Sequence, residues 1–440
     1  MLKKFKLLLS VVMVMALCFG SITALAADPI DDDDDDTVVA SGESLPVQAA
    51  ISKVLQLPVG TNTPNATFTF NAEKISLDED TSDEALSTMP DLLKENLTVS
   101  FTQADKDEND PINNIMYVVK ETNDIFAGVT FPHAGIYVYE ITEIVETNPD
   151  IDNNDPHEVL TYSEAKYTIT VYVSNDASGT GTYIAGIGTR ITTNDDGQPG
   201  DGSKIDTTPG GNGVDYFYSQ MIFNNTYVKT NGAENPDDPD PTSEQALSVT
   251  KTVTGDYASQ EQYFDFSITL EIPSLVRDVP EYYRAYIVEN GAVIDPVNNA
   301  DAGAIGSDAG GGYIKISTDG ATAFSLKHSQ KLVFVDTPVG TSYKVTEAAA
   351  TNYIPSHLVT TNSVPGNNVT GTMSTALSTD TQFVGEAVNS ADFTNNRESV
   401  TPTGLNLNDL PFIGLIALAI ASLVVFIVVK SRKKDTADNA

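Results

Sequence analysis

The chain has 440 residues, with 24 Lys plus Arg against 61 Asp plus Glu, a formal charge of −37, one Cys and no Trp. That length fits two or three ordinary domains and excludes a single small module. Binding phosphates requires a basic face, so nucleic acid and anionic membrane surfaces are excluded as partners. With 40% hydrophobic residues, including 18 Tyr and 17 Phe, the chain keeps enough apolar mass for packed β cores.

Lys3, Lys4 and Lys6 precede an apolar run from Leu7 to Gly20, and Ala24-Leu25-Ala26 supplies the small residues a signal peptidase accepts, so residues 1–26 read as a Sec signal peptide cleaved after Ala26. Cys18 lies inside it, and Leu17 stands where lipid attachment would need a small residue. The exported part then holds no thiol, which leaves open whether another staple replaces the disulfide. Residues 27–45 form an acidic N-terminal segment, in which the six aspartates of Asp31 to Asp36 repel one another and stay solvated.

Two bodies follow, over 46–229 and 245–398, separated by a Pro- and Asp-rich linker over 230–244 that contains Asn235-Pro236-Asp237-Asp238-Pro239-Asp240-Pro241. Both read as β. Thr67-Phe68-Thr69-Phe70, Tyr167 to Val173 and Phe264 to Ile268 alternate apolar and polar residues between Gly, Pro, Asn and Asp clusters. A short helix is expected near Glu84 to Glu95. The fold class is therefore all-β, two sandwiches of antiparallel strands in tandem.

The bodies repeat one pattern. The first has Lys53, then Phe68 and Phe70, then Gly135-Ile136-Tyr137 leading to Thr142-Glu143, and last Phe223-Asn224-Asn225; the second has Lys251, then Phe264 and Phe266, then Pro338-Val339-Gly340 leading to Thr346-Glu347, and last Phe393-Thr394-Asn395. Residues two apart on a strand share a face. Lys53 is in phase with Ile51, Leu55 and Leu57, Lys251 with Leu247, Val249 and Val253, Glu143 with Tyr139 and Ile141, Glu347 with Tyr343 and Val345, and each Asn with its Phe. Each core thus receives one Lys, one Glu and one Asn.

A lysine charge in an apolar core costs several kcal/mol unless it is paired or discharged. Two readings are open: a buried Lys–Glu ion pair capped by Asn, or a reaction. In the second, burial lowers the lysine pKa, the neutral amine attacks the Asn carboxamide, Glu shuttles protons, and ammonia leaves behind an amide that removes the buried charge.

Other constellations are poor. Asp105 to Asp110 begins like a calcium loop, but Asp110 stands where glycine is required and Met116 where a bidentate glutamate is required. His133, His157, His328 and His357 lack metal-ligand spacing, and no Ser-His-Asp or phosphate-binding motif is present. No metal, no cofactor and no enzymatic action on an external substrate is expected, a surface hydrolase included.

The chain is uncharged from Leu410 to Val429, long enough to span a bilayer, and Lys430, Arg432, Lys433 and Lys434 follow on the cytoplasmic side. With Val400-Thr401-Pro402-Thr403-Gly404 upstream, residues 399–440 resemble the cell-wall sorting signal of Gram-positive surface proteins, in a Pro-Thr-Gly variant rather than strict Leu-Pro-x-Thr-Gly. The resemblance implies that a sortase cuts between Thr403 and Gly404 and passes the Thr403 carbonyl to an amine.

Taken together, signal peptide, Lys strand, Phe-x-Phe strand, Thr-Glu strand, Phe-x-Asn strand and sorting signal resemble the Gram-positive major pilins of streptococcal type, built from tandem domains with Lys–Asn isopeptide bonds. The resemblance implies immunoglobulin-like sandwiches and cross-links Lys53–Asn225 and Lys251–Asn395, assisted by Glu143 and Glu347. It implies a wall-anchored backbone pilin at the cell surface, with sortase, neighbouring subunits or peptidoglycan, and the membrane before sorting, as partners. In the streptococcal shaft pilins that the chain resembles, a surface lysine a few residues before the last strand of the first domain accepts the next subunit's threonine. Here Asp215 to Gln220 holds no lysine, which leaves Lys204 and Lys229 as candidates. The alternative is a wall-anchored adhesin, with Glu73 to Met116 as the stretch for a ligand site.

Overall fold

The computed structural model describes residues 39–40, 47–107, 111–151, 157–210, 221–232, 235, 237–398 and 410–437. The signal peptide, the aspartate run, Asp215 to Gln220 and Pro402-Thr403-Gly404 lie outside the described residues.

The first body comprises β1 (Ser52–Pro58), β2 (Ala66–Leu77), β3 (Thr98–Phe101), β4 (Ile115–Glu121), β5 (Gly135–Asn148), β6 (Glu158–Thr161), β7 (Lys166–Asn175), β8 (Thr182–Thr193) and β9 (Ile222–Gly232). In one sheet β8, β7, β5, β2 and β3 are successive neighbours; in the other, β4, β1, β9 and β6. The second body comprises β10 (Leu247–Thr254), β11 (Phe264–Glu271), β12 (Tyr282–Glu289), β13 (Gly311–Ser317), β14 (Thr322–Leu326), β15 (Gln330–Phe334), β16 (Asp336–Pro338), β17 (Ser342–Glu347), β18 (Ile354–Thr361) and β19 (Ser390–Asn396). One sheet runs β13, β12, β15, β10, β19, β18; the other runs β14, β11, β17.

These strands form where apolar residues recur with period two. β7 buries Tyr167, Ile169, Val171 and Val173, and β11 buries Phe264, Phe266, Ile268 and Leu270, while the intervening polar residues face outward. The faces meet in two separate cores. In the first, Phe70 packs on Phe223 with ring centroids 4.9 Å apart; in the second, Phe266 meets Phe393 edge-on at 5.3 Å. In each body, then, the Phe-x-Phe strand rests on the phenylalanine of the last strand across the sandwich. The fold is all-β, as expected.

Most strand pairs are antiparallel, but in both bodies the first and last strands run side by side in parallel, β1 with β9 and β10 with β19. The two ends of each body are therefore neighbours at the centre of one sheet.

The helical expectation near Glu84 to Glu95 is met only in part. Helix α1 (Asp83–Thr88) starts at Ser82, whose Oγ accepts from Ala85 N at 3.3 Å, and it stops at Met89, which is extended. Met89 precedes Pro90, and the proline ring disfavours helical backbone in the residue before it. Only a short 3-10 turn, Lys94–Asn96, follows.

At the C-terminus, α2 (Leu410–Ala437) contains an apolar stretch, Pro411–Lys430, long enough to cross a bilayer.

A joint links the bodies at a place the sequence reading gave to the linker. Strand β9 runs past Lys229, and Thr230, Asn231 and Gly232 pair antiparallel with Pro338, Thr337 and Asp336 of β16. Glu386 accepts from Asn62 N at 2.6 Å and from Asn62 Nδ2 at 3.0 Å, and it meets Lys229 Nζ at 3.3 Å. Asn231 Nδ2 donates to Gly385 O at 2.7 Å. Gly232 has φ +126°, and a Cβ there would sit 1.7 Å from Val335 O, so only glycine permits the pairing. Gly232→Ala should open the joint and speed proteolytic cleavage within 230–244 several-fold, with the cores intact. Unchanged cleavage would show that the pairing does not hold the bodies together.

Candidate functional site

The parallel pairing fixes which side chains converge. On β1 and β9, Lys53 lies opposite Phe223 and Asn225 opposite Leu55, so Lys53 and Asn225 face the same side one step apart. Glu143 comes from β5 in the facing sheet. Its Oε1 lies 2.7 Å from Lys53 Nζ and accepts from Asn225 Nδ2 at 3.0 Å. Lys53 Nζ also donates to Phe223 O at 3.2 Å and stands 4.9 Å from the centre of the Phe68 ring. Ser163 N donates to Asn225 Oδ1 at 2.8 Å and to Glu143 Oε2 at 3.3 Å. Lys53 and Asn225 are fully buried, and Glu143 is buried too.

The second body repeats the register: Lys251 lies opposite Phe393 and Asn395 opposite Val253. Glu347 of β17 places Oε1 at 2.5 Å from Lys251 Nζ and accepts from Asn395 Nδ2 at 2.7 Å. The ammonium stands over Phe264 at 4.4 Å from the ring centre. Among the described residues nothing donates to Asn395 Oδ1 or Glu347 Oε2, both buried.

Burial governs the electrostatics. It pushes both lysines down from 10.5 to about 8, against the opposing pull of Glu143 and Glu347. Burial pushes both glutamates up, against the pull of the lysines and asparagines. Each pair is thus shifted toward its neutral form, an amine beside a carboxylic acid. One carboxyl oxygen touches both the nitrogen that would lose a proton and the nitrogen that would leave, which is what a proton shuttle needs.

The other candidate residues lie elsewhere. Lys204 sits in a two-residue strand, Lys204–Ile205, paired with Arg190 and Thr189 on β8. Lys229 is at the joint, 3.5 Å from Glu158 and 3.3 Å from Glu386. Asp105 is taken by Lys120 at 3.0 Å and Asp107 accepts from Tyr117 N at 2.8 Å. No group of His, Cys, Asp and Glu among the described residues is arranged to hold a metal ion. Ser163, and Asp195 to which its hydroxyl donates, escaped the sequence reading. Both lie in connections between strands, where no periodicity marks them.

Residues 49–228 match the family described as Spy0128-like isopeptide containing domain, and residues 245–397 match a Domain of unknown function (DUF7601). A curated pilin of Streptococcus pyogenes serotype M1 is 23% identical over 370 residues, covering 83% of this chain and 85% of the relative. The crystal structure of the major pilin from Streptococcus pyogenes is 20% identical, covers 80% of this chain and 100% of its own, and has a TM-score of 0.31. A pilus-presented adhesin, Spy0125, is 16% identical over 54% of this chain and 36% of its own, with a TM-score of 0.22. The first body therefore matches the Spy0128-like isopeptide containing domain, and the chain is similar over most of its length to a streptococcal pilin.

Proposed function

We propose that this chain is a backbone-type pilus subunit of the cell surface in which each body closes one Lys–Asn isopeptide bond. The observation that carries the reading is the repeated geometry: in both buried sites a single glutamate oxygen contacts the lysine amine and the asparagine amide nitrogen.

The chemistry balances without a cofactor. The lysine ammonium gives its proton to the glutamate, and the neutral amine adds to the asparagine Cγ, whose carbonyl electron pair moves to Oδ1. The glutamic acid protonates Nδ2, and the resulting carboxylate takes a proton from Nζ. The pair on Oδ1 returns, the Cγ–Nδ2 bond breaks, ammonia leaves, and the glutamic acid is restored. An amide joins first strand to last, and the buried charge is gone, which offsets the cost of having placed a lysine there. Force applied to the ends of a body then passes through the bond between two adjacent strands.

Assembly follows the C-terminal pattern. In this reading a sortase cleaves between Thr403 and Gly404 while α2 holds the precursor in the membrane, and the Thr403 carbonyl passes to a lysine of the next subunit or to peptidoglycan. Lys204 is the proposed acceptor, because of the two candidates it is the one that precedes the last strand of the first body, as the acceptor lysine does in the streptococcal pilins that the chain resembles. Co-expression with a pilin-class sortase should give a ladder of covalent oligomers that Lys204→Ala abolishes and Lys229→Ala leaves. A ladder that survives Lys204→Ala moves the acceptor elsewhere. Failure to form any ladder with a competent sortase returns the chain to a singly anchored wall protein.

A further inference from the structure

The two sites differ at the carbonyl end of the asparagine. In the first body the connection between β6 and β7 enters the site, and Ser163 N–H points at Asn225 Oδ1 from 2.8 Å. In the second, Asn395 Oδ1 accepts no hydrogen bond among the described residues.

Asp195, in the turn after β8, fixes that donor and the acceptor together. Its Oδ1 accepts from Ser163 Oγ at 2.5 Å and from Asn224 N at 2.9 Å, and its Oδ2 accepts from Asn224 Nδ2 at 2.6 Å. Its main-chain oxygen accepts from Glu164 N at 3.0 Å. Ser163 Oγ in turn accepts from Ala165 N at 3.1 Å, which closes the connection into a tight turn. One carboxylate therefore clamps the turn that carries the N–H and the residue just before the reacting asparagine.

Building on the isopeptide reading, we propose that the Ser163 main-chain N–H is the oxyanion donor for the Lys53–Asn225 bond and Asp195 the residue that positions it, so that the first body closes its bond faster than the second. Addition of Lys53 Nζ to Cγ puts negative charge on Asn225 Oδ1, in a water-excluded site where a fixed donor acts strongly. The donor is already in place and reorganises nothing as the charge develops. Asn395 lacks this support.

The test uses the full chain, made in a cell-free system with detergent, quenched in acid at intervals and proteolysed. The branched peptides joining Lys53 to Asn225 and Lys251 to Asn395 are quantified against time. In the parent the first should appear sooner. Asp195→Ala should slow it roughly tenfold, below the full effect of deleting an oxyanion donor because the N–H is loosened and not removed. The Lys251–Asn395 peptide in the same molecules should keep its rate. Asp195→Asn should restore most of the rate, since its oxygen still accepts from Ser163 Oγ and Asn224 N. Ser163→Ala, a milder change to the fold, should slow the first bond by a smaller factor.

The Asp195 charge favours the protonated form of Lys53. If Asp195 acted only through charge, both of its substitutions would speed the first bond. An unchanged or faster first bond in Asp195→Ala overturns the proposal, and so does equal slowing of both bonds, which would mark a general folding defect. Absence of the Lys53–Asn225 peptide from the parent is a separate result: it removes the isopeptide reading of the first body, and this inference with it.

Discussion

Asn225→Ala should lower the melting temperature of the first body by about 10–20 °C, because it removes the proposed cross-link across a loop of roughly 170 residues, worth roughly 5 kcal/mol in lost denatured-state entropy. The substitution keeps the Lys53–Glu143 ion pair, so the loss reports the bond and not an orphaned charge. Asn395→Ala should lower the second body comparably. Protease resistance should fall with each. A variant that melts with its parent would mean that the bond is absent there.

The same variant acquires a pH dependence. Its unbonded Lys53 amine is held at about 8 in the folded state against 10.5 unfolded. Between those values the unfolded chain binds more protons, so this contribution to stability grows as pH rises from about 8 to 10.5 and is lost as pH falls through that window. With the proposed bond closed, the parent would carry an amide nitrogen there and lack the rise. Glu143, raised by burial, works in the opposite sense: its contribution is present below its ordinary value and is lost as pH climbs through its raised value. Combining Glu143→Gln with Asn225→Ala removes both the carboxyl's own titration and its upward pull on Lys53, so the rise due to lysine should begin at still lower pH, which urea melts across the pH range would measure.

Glu143→Ala should abolish the proposed first bond while keeping both partners. The lysine then has no acceptor for its proton, and Nδ2 has no acid to make it leave as ammonia. Glu347→Ala does the same in the second body. The sites share no residue and lie in separate cores, so each substitution should restore one ammonia to the mass and leave the other bond intact. An unchanged deficit in either variant would remove that glutamate from the reaction. The cost in stability should exceed that of Asn225→Ala, because a buried lysine is left without its carboxyl partner.

What was legible in the sequence was what periodicity carries. The phase of Lys53 with Leu55 and Leu57, and of Glu143 with Tyr139 and Ile141, places these side chains in the core before any coordinates, because a strand has only two faces. The bringing together of the Lys and Asn strands follows from a parallel pairing of first and last strands, which no local signal announces. Ser163 and Asp195 belong to turns, and their nearness to Asn224 and Asn225 is a product of the whole sandwich. Thr230 to Gly232 reads as linker together with the Pro- and Asp-rich stretch Asn235 to Pro241 that follows; it is strand only because Asp336 to Pro338, far along the chain, supplies the partner. Helix α1 ends early because of a proline whose effect falls one residue before it.

The most direct test is the intact mass of a segment spanning residues 27–403 under denaturing conditions. Two Lys–Asn bonds give a mass below the sequence value by two molecules of ammonia, with one regained in Glu143→Ala and one in Glu347→Ala. A mass equal to the sequence value would show both lysines and both asparagines unbonded, and would reduce the two buried sites to ion pairs.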